Sequence, residues 1–407
     1  MTPEERVLAA TEFKPVDRLP MDLNGMNSTG ISAFAYPALV ESLGLPPRPP
    51  RIHDTNQMLA LPEMDVLDAL GCDVVSVHGA ECTSAFEEPE HWHPYDFGGR
   101  LPARVMRPSN FSVDSDGTVR QSGDRLMVPG SYDFDAPHGG QGVDLSGDPP
   151  KEDLDRIREN LSRQRFTPER IAEVADYCRR TREATDKAIM FSGLSVGLGM
   201  RGGLAEFSMV CMLHPEHVHE IHKLLVEHCI MQCEALLPAI APYVDILMFS
   251  ADDQGTQHAT ILPPHLFGEL YAPYYRQANA AVHRIAPRMK TFLHSCGAIY
   301  EILDDIIAAG FDIVNPVQWT AGAQGCRAWK DKCRHRIALW GGGVDTQHTL
   351  PLGSVADVEA QVREVVPCLA ADSGFVFCAI HNLLAEIDPE KILAIYRTAQ
   401  TTAGRTD

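Results

Sequence analysis

The sequence predicts an α/β protein, a (β/α)8 barrel with an N-terminal extension and an insertion after the second strand. Three observations predict it. Short apolar runs of strand character recur along the chain, segments of 3.6-residue period lie between them, and the repeat is roughly 30 residues, the size of one strand–helix unit. The first half supplies runs at residues 19–23, 72–77 and 188–191. The second half supplies 243–249, 289–293, 312–315, 337–340 and 375–377. Among the intervening segments, Ile299, Ile302, Leu303, Ile306 and Ile307 share one helical face, as do Val355, Val358, Val362, Val365 and Leu369. Alternation of this kind builds a parallel sheet, and eight parallel strands close into a barrel, with a doubly wound open sheet as the rival topology.

One stretch breaks the rhythm. Residues 87–150 are rich in Gly, Pro, Asp and Ser without helical period, and a hairpin is expected around Asp114-Ser115-Asp116-Gly117. This excursion either covers the barrel mouth or is a surface loop without chemical role. The chain carries no internal repeat and no low-complexity tail, so residues 1–407 read as one barrel domain.

Composition narrows the function. An apolar fraction of 44% assures a sizeable core, and a net charge of −20 argues against nucleic acid or an anionic membrane as partner. No apolar run approaches the roughly 18 residues of a membrane span, and the start, Met1-Thr2-Pro3-Glu4-Glu5-Arg6, lacks the basic-then-apolar order of a signal peptide. Eleven cysteines without framework spacing suit reduced thiols. A cytoplasmic protein is expected.

Polar residues follow the proposed strands closely. They are Asn24, His78, Ser192, Asp252 with Asp253, His294 with Cys296, Asn315 with Gln318, Asp345, and Cys378 with His381. In a barrel the active site is built at these positions. Taken singly, each aspartate could cap a helix and each histidine could be a satisfied polar residue. Taken together, they describe a pocket of converging titratable groups. Within it, His294-Ser295-Cys296 sets an imidazole and a thiol two residues apart on an extended chain, hence on one side, as donors for a soft or borderline cation. The pair needs a third ligand, and the run ending in Cys378-Ala379-Ile380-His381 offers both a thiol and an imidazole.

The chain resembles the uroporphyrinogen decarboxylase-like superfamily, and within it the cobalamin-dependent methyltransferase branch. The resemblance spans nearly the whole length. It is carried by Glu5-Arg6-Val7-Leu8-Ala9-Ala10, Pro15-Val16-Asp17-Arg18-Leu19-Pro20, Asp252-Asp253-Gln254-Gly255-Thr256-Gln257, Pro263 and Pro273-Tyr274. Further on it rests on His294-Ser295-Cys296-Gly297, residues 310–318, Gly342-Gly343-Val344-Asp345-Thr346-Gln347 and His381-Asn382. The resemblance implies a pocket at the strand C-termini and a zinc site of the form His-x-Cys followed far downstream by Cys. His294 and Cys296 match that form. Counting back from Asp388-Pro389-Glu390-Lys391-Ile392, the downstream position falls on His381, with Cys378 three residues earlier. Three protein ligands leave the open position a catalytic zinc needs, so one of the two belongs in the ligand set. Thiolate character inclines the choice to Cys378, with His381 as substrate contact or replacement ligand.

The activity implied is methyl transfer between a small methylated compound and a corrinoid on a separate carrier protein, read in the demethylating direction. Asp252 or Asp253 would orient substrate or act as general acid if buried with a raised pKa. Asn24, His78, Asn315, Gln318 and Asp345 would line the pocket, while Tyr274 and Trp319 pack. The decarboxylase branch is the competitor. Its many-carboxylate tetrapyrrole would call for arginines after the first strand, yet Met21-Asp22-Leu23-Asn24-Gly25-Met26-Asn27-Ser28-Thr29-Gly30 contains none. A metal-free decarboxylase-like enzyme on a small carboxylate, a non-catalytic corrinoid- or metal-binding protein, and a zinc hydrolase complete the alternatives. Whether the chain forms a homodimer stays open.

Overall fold

The computed structural model describes residues 1–78, 83–84, 91–122, 124–135, 147–149, 151–201 and 203–402. Seven parallel strands form one curled sheet in chain order: β1 (Val74–His78), β2 (Ala188–Ser192), β3 (Ile246–Ala251), β4 (Lys290–His294), β5 (Ile313–Asn315), β6 (Ala338–Trp340) and β7 (Phe375–Val376). Each coincides with a predicted run. These seven pair in parallel, as helical crossovers require, and the short segment Thr83–Ser84 adds an antiparallel strand to β1.

The eighth run, residues 19–23, closes the ring without becoming a full strand. Met21 bridges Phe377 in parallel, Asp22 N–H donates to Phe377 O (2.8 Å), and Asp73 N–H, just before β1, donates to Met21 O (2.7 Å). Pro20 has no N–H to give a ladder, and the Met21 N–H turns to the Asp73 carboxylate at 3.0 Å. The closure is therefore half backbone and half side chain.

The N-terminal extension plugs one end of the barrel. Helix α1 (Pro3–Thr11) starts at a capping box, Thr2 with Glu5, and Val7 and Ala10 pack with Val74, Met190, Ile246, Phe292 and Val376 of the strands. Arg6 Nη1 and Arg18 Nη2 each lie 2.6 Å from the fully buried Asp73 carboxylate. The two guanidiniums together keep a fully buried carboxylate charged, and either one alone would still leave it paired. The Arg6 and Asp17-Arg18 stretches singled out in the sequence thus serve barrel closure.

The described part of the excursion folds into two small antiparallel sheets, His93–Asp96 with Pro102–Val105, and Phe111–Val113 with Val119–Gln121 and Arg125–Met127. The expected hairpin is present. Asp114 N–H donates to Thr118 O (2.8 Å), and Gly117 takes the positive φ (86°) the turn needs. Residues 79–82, 85–90, 123, 136–146 and 150 of this region lie outside the described residues. Met106 and the 130–133 turn reach the C-terminal end of the barrel, where each borders a cavity. Among the described residues no helix is long and apolar enough to cross a membrane.

Candidate metal centre

The segments after β3, β4, β5 and β7 converge at the C-terminal end of the sheet. A bulge between Met248 and Ser250 in β3 turns that strand at its last residues, and its chain then crosses the chain leaving β4 backbone to backbone. The crossing fixes two glycines. A Cβ on Gly297 (φ 92°) would lie 2.3 Å from Gly255 C, and one on Gly255 would lie 2.6 Å from Ala298 N. Cys296 is thereby held over β3, with its N–H donating to Asp253 Oδ1 (2.8 Å).

His294, Cys296 and His381 form a cluster whose ligand atoms all lie within 4.8 Å of one another. His294 Nε2 is 3.3 Å from Cys296 Sγ. A tetrahedral zinc with ordinary bond lengths sets a nitrogen and a sulfur donor about 3.6 Å apart, so the pair already has ligand spacing. The donor set fits a metal ion in its protonation too. The Nδ1 of His294 faces the buried Asn315 Oδ1 at 2.6 Å, which places the proton on Nδ1 and leaves the Nε2 lone pair for a cation. Burial lowers the pKa of His294 and brings that of His381 down to about 4, so both imidazoles are neutral. Burial beside Asp253 raises the Cys296 thiol, and a bound cation would reverse this by drawing off the thiol proton. Ser28 Oγ, 3.3 Å from His294 Nε2, flanks the cluster on its open side.

The third position differs from the inclination of the sequence. Cys378 lies outside the cluster, in the barrel interior with Val376 and Trp340, where burial beside Asp22 and Cys72 raises its thiol. The physical reason is register: pairing continues past Phe377, and Gly343 N–H still donates to Cys378 O (2.9 Å), so Cys378 sits one layer beneath the mouth. His381 lies above it. It is braced by its neighbour Asn382, whose Oδ1 accepts from Gly30 N–H (2.9 Å) and whose Nδ2 donates to Gln57 (3.0 Å).

The remaining candidates divide by what they touch. Asp252 is buried with a raised pKa, as its proposed role requires, and accepts from the Tyr275 hydroxyl (2.8 Å) and from Ser250. Asp253 is exposed and tied to the Cys296 N–H and stands 3.8 Å from His294 Nε2. Asn315 positions His294 and anchors its own Nδ2 on Trp340 O (2.9 Å). Gln318 braces the β4 loop, accepting from Gly297 N–H at 2.7 Å. Asp345 does what a capping aspartate does: its carboxylate accepts from Gln347 N–H (2.8 Å) and meets His348. Trp319 donates to Gly342 O and Tyr274 to His219 O, both as packing groups.

Asn24 and His78 meet through a residue that strand-end reasoning misses. His53 stacks on His78 with ring centroids 4.3 Å apart and donates from Nε2 to Asn24 Oδ1 (3.0 Å). It comes from the hairpin of Ile52–Asp54 with Leu59–Ala60, and the turn residues Asp54-Thr55-Asn56 are its one sequence signal. A separate cavity of about 820 Å³, lined by Arg163, Arg165, Arg170 and Arg201, shares no lining residue with the metal cluster.

Comparison with known proteins adds three findings. The family model "Uroporphyrinogen decarboxylase (URO-D)" matches residues 140–402. No curated protein matches the chain. Among solved structures, a methyltransferase from Methanosarcina mazei superposes with a TM-score of 0.56 at 15% identity, covering 98% of this chain and 99% of that one. That likeness is one of fold. A Thermobacillus composti GH10 xylanase reaches a TM-score of 0.33 at 9% identity over 58% of this chain and 83% of its own, too low to carry an argument.

Proposed function

The chain belongs to the uroporphyrinogen decarboxylase family, and from that premise we propose that it is a zinc-dependent methyltransferase, moving a methyl group from a small methylated compound to a corrinoid on a separate carrier protein. The single observation that carries this reading is the His294, Cys296 and His381 cluster at the barrel mouth. The structural neighbour from Methanosarcina mazei, itself a methyltransferase, points the same way. Zinc held by these three residues would supply Lewis acidity at the heteroatom that gives up the methyl group.

The chain's own residues serve that chemistry by position. Asn315 keeps His294 in the tautomer that ligates through Nε2. Asp253 holds the Cys296 backbone, and the Gly255 and Gly297 crossing keeps thiol and imidazole from drifting apart. Asp252 sets a buried carboxyl beside the site, its pKa raised by burial and its Oδ2 accepting from Tyr275 and Ser250. Three ligands leave room at the mouth for substrate, with Ser28 on that side.

A second reading, decarboxylation of a carboxylate-rich substrate, has one observation in its favour, the four arginines around the 820 Å³ cavity, although Arg163, Arg170 and Arg201 already pair with Glu159, Glu173 and Glu152. The two readings separate in one experiment. Zinc is measured by mass spectrometry, and methyl transfer to cob(I)alamin is assayed, for wild type, Cys296→Ser and His381→Ala. The methyltransferase reading expects near-stoichiometric zinc in wild type and loss of both zinc and transfer in each variant. Wild type without zinc overturns it, and so does transfer that survives both substitutions.

A further inference from the structure

Beside the metal cluster lies a cavity of about 460 Å³ whose chemistry the proposed reaction leaves unspecified. Its walls include His53, His78 and Ser192, together with Met26, Met106 and Met248. Ser28 belongs to the same wall, and its hydroxyl, 3.3 Å from His294 Nε2, joins the cavity to the ligand cluster. We propose that this cavity takes an uncharged methyl compound bearing a second oxygen, which hydrogen-bonds to His78 Nε2 and Ser192 Oγ. This assignment rests on the methyltransferase reading and names its substrate class.

Two buried polar atoms argue for a ligand there. His78 Nε2 and Ser192 Oγ are both shielded from solvent and have no hydrogen-bond partner among the described residues. A buried polar atom without a partner costs about 1–3 kcal/mol, so a pair of them on adjacent strands favours a ligand group that bonds to both. Register makes them neighbours: Ser192 ends β2 directly opposite His78 at the end of β1. Stacking on His53 fixes the His78 ring, and His53 is in turn held by Asn24.

Charge decides the class of ligand. No Lys or Arg is among the described residues of the wall, so a carboxylate or phosphate finds no side-chain counter-charge there, and the zinc of the proposed reaction would be engaged by the heteroatom that carries the methyl group. Burial also keeps the two imidazoles neutral, with His78 down to about 4. The one carboxylate, Asp54, is already engaged by the Asn56 and Gln57 N–H groups (2.9 and 3.0 Å) and by the Asn27 amide (2.7 Å), so it does not wait for an ammonium. The three methionines offer soft, adaptable surface to a methyl-bearing chain.

The test uses three probes of matched size: 2-methoxyethanol, methoxyacetate and 2-methoxyethylamine. Binding to purified full-length protein is read by saturation-transfer NMR on the methyl signal, for wild type, His78→Ala and Ser192→Ala, with folding checked by circular dichroism. The neutral probe is expected to bind at least tenfold more tightly than either charged one, and each variant to weaken it about tenfold. Ser192→Ala keeps the test intact if His78→Ala fails to fold. Equal or tighter binding of methoxyacetate or the amine overturns the proposal, as does failure of the neutral probe to bind or an unchanged affinity in the folded variants. Methyl transfer fails separately: neutral preference without turnover keeps the pocket and removes the reaction, whereas turnover of methoxyacetate as efficient as that of methoxyethanol keeps the reaction and removes the pocket.

Discussion

Replacing Asn315 by alanine tests whether the metal centre is built as its hydrogen bonds suggest. Asn315 is fully buried at the end of β5, and its Oδ1, 2.6 Å from His294 Nδ1, fixes the ring orientation and tautomer. Losing such a partner of a metal-binding imidazole typically weakens metal affinity about 10–100-fold, or about 1.4–2.7 kcal/mol. A second loss falls on stability: the Trp340 carbonyl gives up its donor at 2.9 Å and His294 Nδ1–H is left without an acceptor, at about 1–3 kcal/mol each. The assay is zinc competition against a chromophoric chelator, paired with urea unfolding of the zinc-free protein. Asn315→Ala should show a zinc dissociation constant raised by one to two decades and a lower unfolding midpoint. A variant that folds with wild-type spectra and binds zinc within threefold of wild type would refute this reasoning, because Asn315 would then not set the tautomer.

Three further outcomes are expected. His381→Ala should lose zinc, whereas Cys378→Ser should retain it within threefold while losing about 1–3 kcal/mol of stability, since a hydroxyl replaces a thiol in the barrel interior; the reverse pattern in metal analysis would return the third ligand to the thiol. Gly297→Ala should cost about 2–4 kcal/mol in chemical denaturation, because its Cβ would meet the Gly255 backbone at 2.3 Å at a φ of 92°, and near-neutral stability would show that the crossing can open. Burial raises the Asp22 carboxyl to about 6, so the folded protein holds a proton that the unfolded chain gives up near pH 4, and this group's contribution to stability falls as pH rises from about 4 to 6. Asp22→Asn should therefore gain on wild type by on the order of 1–3 kcal/mol between pH 4 and pH 7 in unfolding titrations, and a flat difference would contradict the assignment.

Much of the fold was legible because local signals agreed with one another. Seven of the eight apolar runs became barrel strands, and the one that did not, residues 19–23, still lies in the ring, its ladder broken by Pro20 and completed by the Asp73 side chain. The 114–117 hairpin was legible for the same reason, since its Asp, Ser and Gly residues specify a turn without help from distant chain. The site was legible in part. His294 and Cys296 follow from strand alternation alone. His53 was not, because a short hairpin ahead of the first sheet strand brings it over His78 only once the barrel has closed.

What the sequence determined by itself was the order of strands and helices, the end of the barrel where polar groups gather, and an imidazole at a strand end with a thiol two residues beyond it. These depend on periods of two and 3.6 residues, which any local window contains. Tertiary structure alone decided which of Cys378 and His381 joins them. That choice depends on how far β7 stays paired with its neighbours before the chain turns out of the barrel. The hydrogen bond from Gly343 to the Cys378 carbonyl and the brace of Asn382 on Gly30 set that point, and both partners come from segments remote in sequence.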